Sequence, residues 1–241
     1  MVIFMKKTIL VILSLLFIMC SLSVAAFAAG VNDSGSTIDI VEKGERIDAN
    51  FGTIVENKGV VGANYATVEK NTGTIDYQYA GTVGNCAGGT IINCYNESII
   101  YNYGGTIEYL MGGTVYNYGG TIKNNYSGTV AEYKKVSLDL SNAEATGIEE
   151  KNGDFWVAQN DGTAVIKPSD GYYFEVAPTV DPLSATLVKN ADGSYTVSNV
   201  TEDITITAKA VGSAENNDSL AAFIEVLFMF LTLLAHFLMS L

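Results

Sequence analysis

A single histidine, a single tryptophan, three cysteines and three prolines are all that 241 residues contain of these types. The histidine, His236, lies in an apolar tail, and the only arginine, Arg46, precedes the repetitive part of the chain. No Ser-His-Asp triad and no histidine-based metal site can therefore be assembled in the body of the protein. Positive charge is scarce as well, with 13 basic against 26 acidic residues and a net charge of −13. That balance excludes nucleic acid as a partner and fits a solvated, extracellular surface. Three cysteines exclude a disulfide framework, and one of them, Cys20, falls in a leader.

Both ends read as membrane signals. Lys6 and Lys7 precede an apolar run from Ile9 to Met19, and the small residues Ala25, Ala26 and Ala28 follow. This charged, apolar, small-residue order predicts a signal peptide over 1–28, cleaved after Ala28. Its removal leaves 11 of the 13 basic residues against 26 acidic ones, a net charge of −15. At the other end, 220–241 is an almost unbroken apolar run, which as a helix spans about 33 Å and matches a bilayer core. Glu225, Met229, Thr232, His236 and Ser240 fall on one stripe of that helix, which predicts self-association or a partner helix. Gly212, Ser213 and Ala214 leave open a second reading, a lipid-anchor attachment signal. Residues 212–219 are read as a linker, and the expected location is the cell membrane, on its extracellular side.

What the chain does have is glycine, 24 residues of it, in a motif Gly-Thr-(Ile or Val) that recurs every seven or eight residues. Clear copies begin at Gly52, Gly73, Gly81, Gly89, Gly105, Gly113, Gly120 and Gly128, and degenerate ones at Gly59, Ala66 and Glu97. Each supplies one β-branched residue: Ile54, Val61, Val68, Ile75, Val83, Ile91, Ile99, Ile107, Val115, Ile122 and Val130. Glycine at this period beside β-branched residues is poor material for a helix. A short strand cannot bury its own apolar face, so the copies must stack at about 4.8 Å into a solenoid. Two or three repeats form one coil; with two, 52–131 makes about five coils. The segment 29–51 reads as an N-terminal cap or linker. The Asn- and Gly-rich stretches before each motif, such as Asn57-Lys58-Gly59, read as turns that admit φ > 0.

Tyr79, Tyr95, Tyr103, Tyr118 and Tyr126 share one register, three residues before the motif's threonine, with Ala87 and Met111 alongside. They predict an aromatic ladder that either docks glycan or protein, or covers and stiffens the corners. Cys86 and Cys94 occupy matching places in successive copies. A bridge between them depends on coil geometry, and the reading favours free core residues.

From about Val136 the glycine ladder stops and longer alternating strands begin, separated by Asp-Gly and Pro turns. Seven strands are predicted, from Val136–Leu140 to Ile204–Ala210, which suits a β-sandwich over 135–211. Trp156, mid-strand, reads as a core anchor. The turns Asn160-Asp161-Gly162 and Asn190-Ala191-Asp192-Gly193 lack the alternating acids of a calcium loop. The run Asn190-Ala191-Asp192-Gly193-Ser194-Tyr195-Thr196-Val197, with Val200 to Ala208 after it, resembles the closing strands of immunoglobulin-like modules of bacterial surface proteins. That resemblance implies a spacer or stalk module and no catalytic site.

The whole is thus expected to be all-β, with a short-repeat right-handed β-solenoid followed by an Ig-like β-sandwich. Glu56, Glu69, Asp76, Glu97 and Glu108 would have to supply any glycoside-hydrolysing pair, and they read more simply as solvated outward positions. Parallel β-helices that act on polysaccharides resemble one another in long coils with loop insertions, which these short regular repeats lack. The expectation is a bacterial surface protein that is not an enzyme and needs no cofactor or metal. It would be an adhesin or binding scaffold whose partners are a glycan or a protein of a host or neighbouring cell. A purely structural envelope spacer is the alternative, and a polysaccharide-active enzyme the third reading.

Overall fold

A computed structural model of the chain describes residues 30–212 and 225–230, and shows an all-β protein built in two compact units that divide between Lys135 and Val136. The first unit contains β1 (Gly30–Asn32), β2 (Thr37–Val41), β3 (Arg46–Asn50), β4 (Thr53–Asn57), β5 (Val60–Asn64), β6 (Thr67–Asn71), β7 (Thr74–Cys86), β8 (Thr90–Tyr103), β9 (Thr106–Leu110), β10 (Thr114–Tyr118), β11 (Thr121–Asn125) and the first half of β12 (Thr129–Ser141). Each repeat is one five-residue strand, except that β7 and β8 each run through a corner and serve two repeats.

Successive repeats fall on opposite walls. One wall stacks β1, β3, β5, the starts of β7 and β8, then β9 and β11; the other stacks β2, β4, β6, the ends of β7 and β8, then β10 and β12. All of these pairings are parallel, so two repeats make one coil of a β-solenoid with about 6 turns. The pairing reaches back to Gly30, so residues 30–50, expected as a cap or linker, are themselves solenoid strands, because Ile38 and Ile47 stand in register with Ile54 and Val61.

The second residue of each strand faces inward from both walls. Ile54, Val61, Val68, Ile75, Val83, Ile91, Ile107 and Val115 are wholly buried and form one continuous core, with Ile122 and Val130 packed at its end. One member of the expected set is corrected. Ile100 faces the core and Ile99 is 42% exposed. The coil from Val83 to Ile100 is the longest, and its extra residues shift the register so that Ile99 pairs with Thr82 and Thr114 in the outward column. At the corners the chain passes too close to its neighbour for a side chain. A Cβ on Gly81, whose φ is +81°, would meet the carbonyl of Ala66 in the coil below.

The second unit adds β13 (Ala143–Thr146), β14 (Glu149–Lys151), β15 (Asp154–Ala158), β16 (Ala164–Pro168), β17 (Tyr172–Tyr173), β18 (Thr179–Asp181), β19 (Thr186–Lys189), β20 (Tyr195–Ser198), β21 (Ile204–Lys209) and β22 (Val211–Gly212). One sheet contains β18, β21, the second half of β12, β15 and β14; another is β13-β16-β20-β19. Val136, Val157, Val180, Ile204 and Ile206 from the first pack with Ala164, Ile166, Tyr195 and Val197 from the second, so the core lies between two sheets. The parallel pairing of β12 with β21, Val136 against Ile204, joins the first and last long strands of this unit. Trp156 is buried in its strand, and its indole N–H donates to the carbonyl of Lys151 at 3.2 Å. Asp192 closes its turn by accepting from the backbone N–H and the hydroxyl of Ser194 at 3.0 and 2.6 Å. These bonds hold its carboxyl below the usual range.

The expected signal peptide (1–28) lies outside the described residues, as does nearly all of the linker at 212–219. Of the expected membrane segment only 225–230 is described, as helix. No helix among the described residues is long and apolar enough to cross a membrane.

Candidate binding surface

Near the end of most of the strands a further residue points inward, and on both walls it is mostly asparagine: the last residue of β3, β4, β5 and β6 and the fourth of β10 are buried asparagines, whereas Asn125 at the end of β11 is exposed. On the wall of β4 and β6, Asn57 donates to Asn71 at 2.8 Å, Asn71 to Asn85 at 2.8 Å, Asn85 to Asn102 at 2.9 Å and Asn102 to Asn117 at 2.9 Å. The column ends on a charge, for Asn117 donates to the Glu132 carboxylate at 2.9 Å. On the other wall Asn32, Asn50, Asn64 and Gln78 are linked in the same direction at 2.6, 2.5 and 2.7 Å, before Cys94 and Leu110 take over the column. Every amide donates toward the C-terminal end, so the bonds polarise one another in a dry interior. The turn reading of these stretches holds at glycines such as Gly88, Gly104 and Gly119, whose φ are +87°, +83° and +76°, but not at the asparagines, which point inward; among the described residues the positive-φ asparagines are Asn142, Asn152, Asn160 and Asn199, all in the second unit.

The residue after each of these amides turns the corner, and most of these corner residues are partly or fully exposed. Because successive repeats lie on opposite walls, the five tyrosines expected in one register divide between two corners. Phe51, Tyr65, Tyr79 and Tyr95 form one column, with ring centroids 4.9, 5.0 and 4.9 Å apart and planes within 13° of parallel. Met111 and Tyr126 continue it, and Tyr126 is 66% exposed. Tyr103, Tyr118 and Tyr133 form the other, at 5.1 and 4.4 Å. Tyr118 is buried there, with 2% exposure, which makes it a structural side chain. Phe51, Tyr65 and Tyr133 belong to these columns without having been singled out in the sequence; Phe51-Gly52-Thr53 and Tyr65-Ala66-Thr67 sit only two places before their threonines.

The strand spacing of about 4.8 Å brings like rings to stacking distance, and such pairs are worth about 0.5–1.5 kcal/mol each beyond burial. In the first column each ring turns its face to its neighbours, so ring edges and phenol hydroxyls rather than faces remain for another molecule to meet; Phe51 and Tyr65 are exposed, Tyr79 and Tyr95 half-buried. Tyr77 stands beside it, its centroid 6.0 Å from Tyr79 and its side chain exposed. Desolvation by the neighbouring rings pushes the Tyr79 phenol above its ordinary range. Among the described residues, no hydrogen-bond partner engages the hydroxyls of Tyr65, Tyr77, Tyr79 or Tyr95. The chain neighbours of the four stacked rings are Asn50 and Gly52, Asn64 and Ala66, Gln78 and Ala80, and Cys94 and Asn96, none of them charged.

Cys86 and Cys94 are free, and they are not equivalent. Cys86 takes the corner position of Tyr103, while Cys94 takes the buried amide position of Gln78 on the opposite wall. Burial raises both thiols, that of Cys94 to about 11. The five acids are dispersed. Glu56 binds Lys70 and Lys58 at 2.8 and 3.2 Å, which lowers its pKa; Asp76 binds Arg46 at 3.0 Å; Glu108 binds Lys123 at 2.6 Å. Glu69 and Glu97 are exposed. Among the described residues, no group of three or more His, Cys, Asp or Glu could hold a metal ion. No protein-family model, curated protein or solved structure matches the chain.

Proposed function

We propose that this chain is an exported bacterial surface protein, held at the membrane by its C-terminal segment, whose solenoid serves as a binding scaffold. The observation that carries the proposal is the column Phe51, Tyr65, Tyr79 and Tyr95, which places aromatic side chains on a solvated corner where a purely load-bearing rod needs none. Phe51 and Tyr65 are 45% and 43% exposed. The second unit acts as an Ig-like spacer or stalk module. Its two facing sheets agree with that reading, as do the leader, the tail and the acidic surface. The partner is a glycan or a protein of a host or neighbouring cell, and the tail helix associates with itself through the Glu225–Ser240 stripe. No reaction and no cofactor belong to the proposal: the acids of the repeats are spread over both walls, and three of the five are committed to ion pairs.

The test is a glycan and matrix-protein array probed with the full chain in mild detergent, with protease treatment of intact cells to locate it. Specific, saturable binding with the body cleaved from outside supports a surface scaffold. Silence across the array with the same exposure favours the structural spacer, in which the columns serve only to stiffen the rod. Release of reducing ends from any polysaccharide would favour the enzyme instead.

A further inference from the structure

Resting on that scaffold reading, we infer that the Phe51–Tyr95 column binds a neutral, hydroxyl-rich polysaccharide in extended β-1,4-linked form, laid along the solenoid axis. Three features of the column select this ligand. The first is how the rings are presented. Stacking at 4.9–5.0 Å engages their faces with one another, so inside the column a sugar meets ring edges and phenol oxygens rather than open faces. Each hydroxyl both donates and accepts, and those of Tyr65, Tyr79 and Tyr95, with Tyr77 at their side, have no partner among the described residues. Such a row suits a ligand that is itself covered in hydroxyls.

The second feature is the period. The row advances one phenol per coil, close to the advance of one sugar in an extended β-1,4-linked chain, so successive sugars meet successive tyrosines without the ligand having to bend. An α-1,4-linked chain coils and loses this register after one or two contacts. The third is charge. The chain carries a net charge of −13, yet the residues immediately before and after each stacked ring in the sequence are uncharged. Long-range repulsion from the protein disfavours an anionic polymer, and it equally opposes side-by-side association of two copies. A convex ridge also suits a long polymer or a packed polysaccharide surface better than a small molecule, which needs a concavity.

The experiment uses the full chain in mild detergent with cellohexaose, N-acetylchitohexaose, maltohexaose and an anionic hexasaccharide, read by calorimetry. Its key variant is the triple Tyr65→Phe, Tyr79→Phe, Tyr95→Phe, which removes the hydroxyls and keeps the stack. The expected result is binding of one or both β-1,4 hexasaccharides at least 10-fold tighter than maltohexaose or the anionic sugar. The triple variant should weaken that binding at least 10-fold while its melting temperature stays within a few degrees of wild type. Equal affinity for maltohexaose, or full binding by the triple variant, overturns the inference. So does a ladder-dependent dimer seen by sedimentation without sugar binding. A ligand found on the array that the triple variant still binds would sink this inference and leave the scaffold reading intact; no ligand in either experiment sinks both.

Discussion

Replacing Asn71 by alanine removes the middle of the longer amide column. Asn71 is wholly buried, accepts from Asn57 at 2.8 Å and donates to Asn85 at 2.8 Å and, at the limit, to the carbonyl of Thr90 at 3.5 Å. The Asn57 amide keeps one bond, to the carbonyl of Thr74 at 3.2 Å, whereas the Asn85 oxygen loses its donor from the coil below. Two good bonds at about 1 kcal/mol each, and about 1–3 kcal/mol for an oxygen left unpaired in a dry interior, give a loss of about 3–5 kcal/mol. For a unit of this size that corresponds to a fall of roughly 15–30 °C in melting temperature. The control is Asn96→Ala, at an exposed corner, where the change should stay within about 0.5 kcal/mol. Urea and thermal melts followed by circular dichroism read the solenoid, and fluorescence of Trp156, the only tryptophan, reads the second unit separately. If Asn71→Ala costs less than about 1 kcal/mol, or no more than Asn96→Ala, the amide column does not hold the coils together and the energetic reasoning fails.

Three further outcomes follow from the same architecture. Alkylation of the native protein near neutral pH should label Cys86 first and leave Cys94 untouched until the solenoid opens, since Cys94 is buried and its thiol is pushed up to about 11; equal rates, or a bridge between the two under mild oxidation, would contradict the two-wall placement. Gly81→Ala should destabilise by more than the ordinary helix or strand cost of about 1 kcal/mol, because φ is +81° and the new Cβ meets the Ala66 carbonyl; an unchanged melt refutes that close approach. Glu56, held below the ordinary carboxylate range by Lys70 and then Lys58, contributes stability that is present above its unfolded pKa and lost as pH falls through its lower folded pKa. Glu56→Gln should therefore flatten the acid limb of the stability profile slightly, this being an exposed pair; an acid limb identical to wild type would show that the pair contributes nothing.

Much of the solenoid could be read from the chain because its period is short and its inward residues are β-branched. The pattern did not decide on which wall a repeat lies. A motif every seven or eight residues looks the same whether coils hold two copies or three, and the tyrosine and cysteine registers depend on that number. Tyr79 and Tyr103 match in sequence yet stand on opposite corners, and Cys86 and Cys94 part for the same reason. The asparagines carried a stronger signal than was drawn from them. Asn50, Asn57, Asn64, Asn71, Gln78 and Asn85 are spaced at seven residues throughout, and glutamine in that series is no turn former. A strictly periodic amide, kept as an amide at Gln78 and later replaced by Cys94 and Leu110, marks an interior position rather than a turn. In the second unit the strands expected at Val136–Leu140, Asp154–Ala158, Ala164–Lys167, Ala185–Lys189, Ser194–Val197 and Ile204–Ala210 all coincide with strands of the structure to within a few residues, because hydrophobic and polar residues alternate there. Ala143–Thr146, Glu149–Lys151 and Thr179–Asp181 are short and polar and carry no such alternation; the first and last pair with β16 and β21 further along the chain, whereas Glu149–Lys151 pairs with the next strand, β15.

The solvated aromatic column is, on this reading, the part of the protein that meets its partner. The most direct measurement compares wild type with a Tyr65→Ser, Tyr77→Ser variant in saturation binding to whichever array ligand gives the strongest signal. Both side chains are more than two-fifths exposed, so the fold should survive the change. Most of the binding should be lost while the circular dichroism spectrum stays unchanged. Full binding by this variant would contradict it, and would leave the columns as internal bracing of the rod.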